Sequence, residues 1–259
     1  MKVTVDADLF LFDLDGTIYL GDTPIPGAVD TLKKLESAGK KVCFLTNNSS
    51  KDPAEYVEKL TSMGYPAKIE QIITSATASI HFLKTSRPGK SVYPVGTPTF
   101  VKAVRDAGIA IDSENADIVL LAFDTGVTYD KFWTANVMLG KGSEFVATHP
   151  DRICPSDRGD MPDVGSLAAL LECSSGKKVS VYCGKPYAPM AEIVNHLYDV
   201  PADRIAMVGD RLYTDILFGV NNGFKSVAVF TGEITKESLM SSDIVPTFAF
   251  GSVCELTDE

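Results

Sequence analysis

The chain has 259 residues, 45% hydrophobic and 22% charged, the balance of a globular protein that buries a core. Its formal net charge of −10 argues against nucleic acid as a partner, because neutralising a phosphate backbone takes a basic face, yet it leaves room for a small anionic substrate where a metal ion or a placed lysine reverses the local potential. No apolar run approaches the roughly 18 residues of a membrane helix, no signal segment opens the chain, and the five cysteines form no CxxC pair, so a cytoplasmic protein without membrane contact is expected, its cysteines reduced and serving as core filler.

Leu9-Phe10-Leu11-Phe12, closed by Asp13-Leu14-Asp15-Gly16, has the pattern of a strand buried on both faces of a parallel sheet. Residues i and i+2 leaving a strand point the same way, so Asp13 and Asp15 present two carboxylates to one volume, at the strand end where open α/β sheets bind ligands. An Asp-Gly pair alone signals only a turn, and a calcium loop matches poorly because Gly16 follows the second acid directly. Two anions this close call for a cation or for a division of labour between nucleophile and acid.

Pro24 to Gly27 introduces a helix with Val29, Leu32 and Leu35 inward and a stop at Gly39. A second buried strand over 42–45 ends in Thr46-Asn47-Asn48-Ser49-Ser50, and Asp52-Pro53-Ala54-Glu55 reads as a capping box, which puts this polar cluster just before a helix N-terminus. Ser50 and Asp52 read as plain loop and cap residues. Strand and helix signals over 69–83 break at Arg87-Pro88-Gly89-Lys90.

A second α/β series follows: a strand over 91–95, a helix near 99–107, a buried strand over 118–123, a helix near 129–139 and a strand over 144–148. The interval 148–163, with three prolines, reads as a long functional or mobile loop, and a helix over 165–172 leads back. Cys183-Gly184-Lys185-Pro186 then lies between the apolar run 179–182 and a helix reaching about Tyr198. A lone lysine is usually a solvated surface residue. Another buried strand, 205–208, ends in Gly209-Asp210-Arg211-Leu212-Tyr213-Thr214-Asp215, and 224–230 supplies one strand more.

Strand ends and a strand-to-helix loop thus carry Asp13 and Asp15, Thr46 and Asn47, Lys185, and Asp210 and Asp215. Three carboxylates facing one point make a hard oxygen site suited to Mg²⁺, and a hydroxyl, an amide and an ammonium add donors for phosphoryl oxygens. In this order, Asp-Leu-Asp-Gly-Thr, Thr-Asn, Gly-Lys-Pro and Gly-Asp-x-x-x-x-Asp resemble the four motifs of the haloacid dehalogenase superfamily, and Thr46-Asn47-Asn48-Ser49-Ser50 and Gly184-Lys185-Pro186 resemble its NagD-like, 4-nitrophenyl phosphatase branch.

The resemblance implies an α/β fold with a Rossmann-like parallel-sheet core, helices on both its faces and an inserted α/β cap. The core is placed at 1–76 and 182–259 and the cap at 77–181, because the interval from Thr46 to Lys185 exceeds one βα unit by roughly a hundred residues. It implies a Mg²⁺-dependent phosphatase of small phosphorylated metabolites. Asp13 is then the nucleophile and Asp15 the acid and base. Thr46, Asn47, Asn48 and Lys185 hold the transferring group. Asp13, the Leu14 carbonyl, Asp15 and Asp210 bind the metal, with Asp215 supporting it. Cap loops carrying Asp124, His149 and Asp151 contact the leaving group. Residues 145–151 resemble the family's Ala-Thr-Asn-Pro-Asp run, with His149 in place of the usual Asn.

A phosphonatase or phosphomutase is the alternative enzyme, although no helical cap fits after the first motif. A non-catalytic metabolite sensor on the same scaffold is the alternative from another class, although every reactive position is filled. His81, His149 and His196 lie outside the strand tips of the core motifs, which disfavours a Ser/His or Cys/His hydrolase. A homo-oligomer is left open.

Overall fold

Strand β1 (Leu9–Phe12) is buried along its whole length, with Leu9 and Leu11 on one face and Phe10 and Phe12 on the other, as a strand covered on both sides must be. The computed structural model describes residues 3–156 and 158–257, so of the expected domain ranges positions 1, 2, 157, 258 and 259 lie outside the described residues. A short antiparallel ribbon follows, β2 (Tyr19–Leu20) with β3 (Thr23–Pro24). Helix α1 (Ala28–Ser37) turns Thr31, Leu32 and Leu35 inward at helical spacing and leads to β4 (Lys41–Thr46), α2 (Pro53–Ser62) and β5 (Ile72–Thr74).

The second series comprises α3 (Ser75–Ser86), β6 (Val92–Val95), α4 (Pro98–Asp106), β7 (Ile118–Leu121), α5 (Tyr129–Lys141), β8 (Glu144–Ala147), β9 (Ile153–Cys154), β10 (Met161–Pro162), α6 (Val164–Ser175) and β11 (Val181–Tyr182). The chain closes with α7 (Ala188–Tyr198), β12 (Ile205–Gly209), a π-helical turn Leu212–Ile216, α8 (Leu217–Asn221), β13 (Lys225–Val229), α9 (Lys236–Met240) and β14 (Phe248–Phe250). No helix among the described residues is long and apolar enough to cross a membrane.

These elements form two units. The first holds the chain up to Thr46, Pro53–Ile73 and the chain from Lys185 onward; the second holds Asn47–Asp52 and Thr74–Gly184. The spacing places the crossings near 76 and 182 and does not separate the turn Asn47–Asp52 from the strand it follows.

The first unit is built on a six-stranded sheet in the order β14-β13-β12-β1-β4-β5. β1 runs parallel to both neighbours, with Phe12 opposite Val208 on one side and Phe44 on the other. The chain goes from β1 to β4 and β5 on one side and later fills the other side, so the order reverses at β1, and the crevice outside the strand tips there is where such sheets bind ligands. The second unit has a parallel sheet, β11-β8-β7-β6, buried on both faces: Val119, Leu121 and Ala147 enter one apolar cluster, Ile118, Leu120 and Val146 the other.

Three expectations need correction. The interval 148–163 is not one open loop but carries the ribbon β9–β10, whose two-residue strands are too short to leave an alternating pattern. The edge strand β14 and helix α9 carry no sequence signal, because β14 is only half-buried with a brief Phe-Ala-Phe and α9 spans five residues. Of the cysteines only Cys43 and Cys183 are core filler. Cys154 and Cys254 are half-buried and Cys173 is exposed, and none is in a disulfide.

Candidate active site

In the first unit the register of β1 brings three strand tips together. The N–H of Asp13 donates to the Val208 carbonyl at 2.9 Å, which carries the ladder one residue past β1 and sets Asp13 beside the tip that bears Asp210. Lys185 follows directly after the chain re-enters this unit and is 1% exposed. Its ammonium spends three donors, on Asp13 Oδ1 at 2.6 Å, Asp215 Oδ1 at 2.6 Å and the Leu45 carbonyl at 3.1 Å. Burial works against this charge, but the Asp13 and Asp215 carboxylates outweigh it and hold the Lys185 pKa above its usual value. Lys185 is therefore a fixed cation.

Asp215 reaches it because the π-helical turn directs the side chain back over Gly209, where a Cβ would stand 2.3 Å from Asp215 Cβ. Its other oxygen accepts from the Arg211 N–H at 3.1 Å. Asp210 accepts from Thr17 Oγ1 at 3.3 Å and from the Glu233 N–H at 2.9 Å. It is also hemmed in by two glycines, since a Cβ on Gly16 or Gly232 would meet Asp210 Oδ2 at 2.3 or 2.0 Å.

Asp13, Asp210 and Asp215 each offer a carboxylate oxygen, all within 4.8 Å of one another. Burial, followed by the neighbouring carboxylates, raises the pKa of Asp13 and of Asp210, against the opposing pull of Lys185. With all four groups ionised the cluster carries a net charge of minus two. A hard divalent cation fits this donor set and would restore both acids to their ionised form.

One expected ligand does not fit. The Leu14 carbonyl accepts the N–H groups of Thr17, Ile18 and Tyr19 at 3.2, 2.8 and 3.3 Å, because the chain makes a helical turn directly after Asp13. Its lone pairs are committed there. The Asp15 carbonyl accepts no hydrogen bond from the described residues, and the Asp15 side chain is exposed and outside the carboxylate cluster.

Thr46 ends β4 and is buried, while Asn47 and Asn48 begin the turn that belongs to the second unit. Asn47 Nδ2 donates to Asp151 Oδ2 at 3.2 Å. Asn48 Oδ1 accepts from the N–H and hydroxyl of Ser50, both at 2.8 Å, and so shapes the turn. Asp124 is buried at the tip of β7, taking the Gly126 N–H at 2.9 Å and Lys131 Nζ at 2.6 Å. His149 is fully buried and bonded through Nε2 to Asp163 at 2.9 Å. The polar atoms of Asp124 and His149 are thus matched inside the second unit, whereas Asp151 Oδ1 has no partner among the described residues.

The sequence does not single out Thr17, Glu233 or Gly232, and it marks Asp163 only as the end of the loop over 148–163. Phe230-Thr231-Gly232-Glu233, a strand end followed by Gly and an acid, repeats the signal that marked Gly209-Asp210 and would have flagged that loop. Nothing else local marks Asp163, whose carboxylate caps α6 and meets His149 only in the folded chain.

Models of the haloacid dehalogenase-like hydrolases match residues 10–110 and 182–256. An acid sugar phosphatase of Staphylococcus haemolyticus is 35% identical over 242 residues, covering 93% of this chain and 92% of its own. A 4-nitrophenylphosphatase from Thermotoga maritima superposes with a TM-score of 0.93 at 40% identity, covering 97% and 96%. A glycerol phosphate phosphatase from Mycobacterium tuberculosis, solved with magnesium, gives 0.90 at 28% identity, covering 97% of this chain and 76% of its own.

Proposed function

We propose, for a chain that belongs to the haloacid dehalogenase-like hydrolases and is a phosphomonoester phosphatase of their NagD-like branch, that it is a Mg²⁺-dependent enzyme of small phosphorylated metabolites, among them sugar phosphates, nucleotides and glycerol phosphate, with 4-nitrophenyl phosphate as an artificial substrate. The observation that carries this reading is the ion triad Asp13–Lys185–Asp215 beside Asp210 at adjoining strand tips. A cytoplasmic setting accords with five cysteines of which none is in a disulfide, and a small-molecule rather than a nucleic-acid partner with the net charge of −10.

Asp13 and Asp210 would hold the divalent ion, supported by Asp215, and the Asp15 carbonyl would serve as the main-chain ligand, since that of Leu14 is spent on its turn. The bound ion supplies charge neutralisation for an incoming phosphate and keeps the carboxylates ionised. Asp13 attacks phosphorus to form a phosphoaspartate, while Lys185 neutralises charge on Asp13 and on the transferring group. Asp15, exposed and outside the carboxylate cluster, gives its proton to the leaving oxygen and then takes one from the water that hydrolyses the intermediate. Thr46, Asn47 and Asn48 orient the phosphoryl group, and the second unit acts as the cap that selects the leaving group.

Phosphate release from a panel of phosphomonoesters tests the reading. Activity is expected with Mg²⁺, none in excess chelator after metal stripping, and none in Asp13→Asn, whose amide accepts no phosphoryl group. Near wild-type kcat in Asp13→Asn would overturn the covalent route.

A further inference from the structure

The buried residues His149, Asp151 and Asp163 take no part in the chemistry above, and their hydrogen bonds lead to the turn after β4. Asp163 Oδ1 accepts from His149 Nε2 at 2.9 Å and from the Val164 N–H at 2.6 Å, so an acceptor-only carboxylate sets the imidazole proton on Nε2. Ser75 Oγ donates its one proton to the Asn47 carbonyl at 2.5 Å and has none left for His149 Nδ1, 3.4 Å away. The donor to Nδ1 is therefore Thr148 Oγ1 at 2.9 Å, which in turn accepts from Ser49 Oγ at 3.1 Å.

With Asp151 Oδ2 on the Asn47 amide, the turn is held at three points: the side chain of Asn47, its carbonyl and the hydroxyl of Ser49. Gly184, the residue before Lys185, closes on the same cluster. A Cβ there would stand 2.6 Å from Asn47 Oδ1 and 2.9 Å from His149 Cβ.

We propose that His149 and Asp163 are positioning residues that touch no substrate: through Thr148 and Ser49, with Ser75 and Asp151 alongside, they hold Asn47 in the orientation that phosphoryl transfer needs. The inference rests on the role given above to Asn47. Removing an acceptor from such a network strands a buried N–H and loosens every bond behind it. A loosened turn misplaces Asn47, and a shift of about 1 Å at a transferring group costs up to about 10²-fold.

The test is a double-mutant cycle with 4-nitrophenyl phosphate and Mg²⁺, reading kcat and KM separately. Asp163→Ala is expected to lower kcat ~10-fold or more with KM changed less than about threefold. Asp163→Asn keeps an oxygen at the Oδ1 position for both bonds and is expected to stay within about threefold of wild type. In an Asn47→Ala background, Asp163→Ala is expected to cost less than about twofold, because the two changes remove one function. Ser75→Ala enters the same cycle if Asp163→Ala does not fold. Equal costs in both backgrounds overturn the inference while leaving the role of Asn47 intact. Asp163→Asn as impaired as Asp163→Ala overturns it too, in favour of a charge requirement such as a cation held by His149, Asp151 and Asp163, whose ligand atoms lie within 4.8 Å of one another. Wild-type turnover in Asn47→Ala alone overturns the reading of Asn47 and the inference with it.

Discussion

Lys185, itself 1% exposed, carries one positive charge between two carboxylates, and its third donor is taken by a main-chain carbonyl. Such a group needs no reorganisation when negative charge develops on a transferring phosphoryl group, which is where preorganised donors contribute most. Lys185→Ala is expected to lower kcat by roughly 10² to 10³, by analogy with other electrostatic donors. Steady-state kinetics at saturating substrate check this, and a loss below about tenfold would place the needed charge elsewhere. Leu14 shows the opposite case at the same scale. Its carbonyl has the right position in sequence to meet a metal, and the local turn takes it away.

At the scale of elements, the site depends on glycines at turns as much as on acids at strand tips. Gly232 lies just beyond β13, and its missing side chain is the space that Asp210 occupies. Gly232→Ala would drive a Cβ to 2.0 Å from Asp210 Oδ2, so the carboxylate or the loop must shift. The expected result is a metal affinity ~10- to 100-fold weaker, comparable to losing an outer-shell partner, with the circular dichroism spectrum of the wild type. A Mg²⁺ titration of activity reads this directly, and an unchanged midpoint would mean that Asp210 tolerates the displacement. The π-helical turn acts likewise. It aims Asp215 at Lys185, which an ordinary α-helical start at Leu212 would not have to do.

For the whole molecule, the carboxylate cluster makes stability depend on pH and metal together. Burial first, then the Asp215 charge, moves Asp210 from 3.8 up to about 6, and Asp13 is raised for the same kinds of reason. Folded protein then binds protons more tightly than unfolded protein, so metal-free stability falls as pH rises through about 4 to 6 and, because of Asp13, beyond. The half-buried Asp8 and the exposed Asp117, held low by hydrogen bonds from Arg204 and from the Ser91 N–H, titrate below that window. Mg²⁺ binds only the ionised carboxylates, so it should stabilise little at pH 5 and much at pH 8. Calorimetric Tm values with and without millimolar MgCl₂ at the two pH values check this. A metal-free Tm that rises from pH 5 to pH 8, with equal Mg²⁺ shifts at both, would contradict the assignment.

The amino-acid sequence by itself determined the core of this account. An apolar run closed by acids specifies a buried strand and its tip regardless of what lies elsewhere, so Asp13, Asp210 and Asp215 are legible in the sequence alone, as is the parallel sheet, whereas Thr46 and Lys185 stand out through their motifs' resemblance to the family. The tertiary structure decided what has no local pattern: that Leu14's carbonyl turns inward, that Gly16 and Gly232 make room for Asp210, and that β14 completes the sheet edge. It also changed the standing of His149, which reads as a candidate substrate contact in sequence and is a fully matched buried imidazole in the fold. The physical reason is distance along the chain. Strand tips are set by neighbours one to four residues away, whereas the bond between His149 and Asp163, or between Lys185 and Asp13, exists only because packing brings remote segments together, and no periodicity encodes which buried polar groups will then find each other.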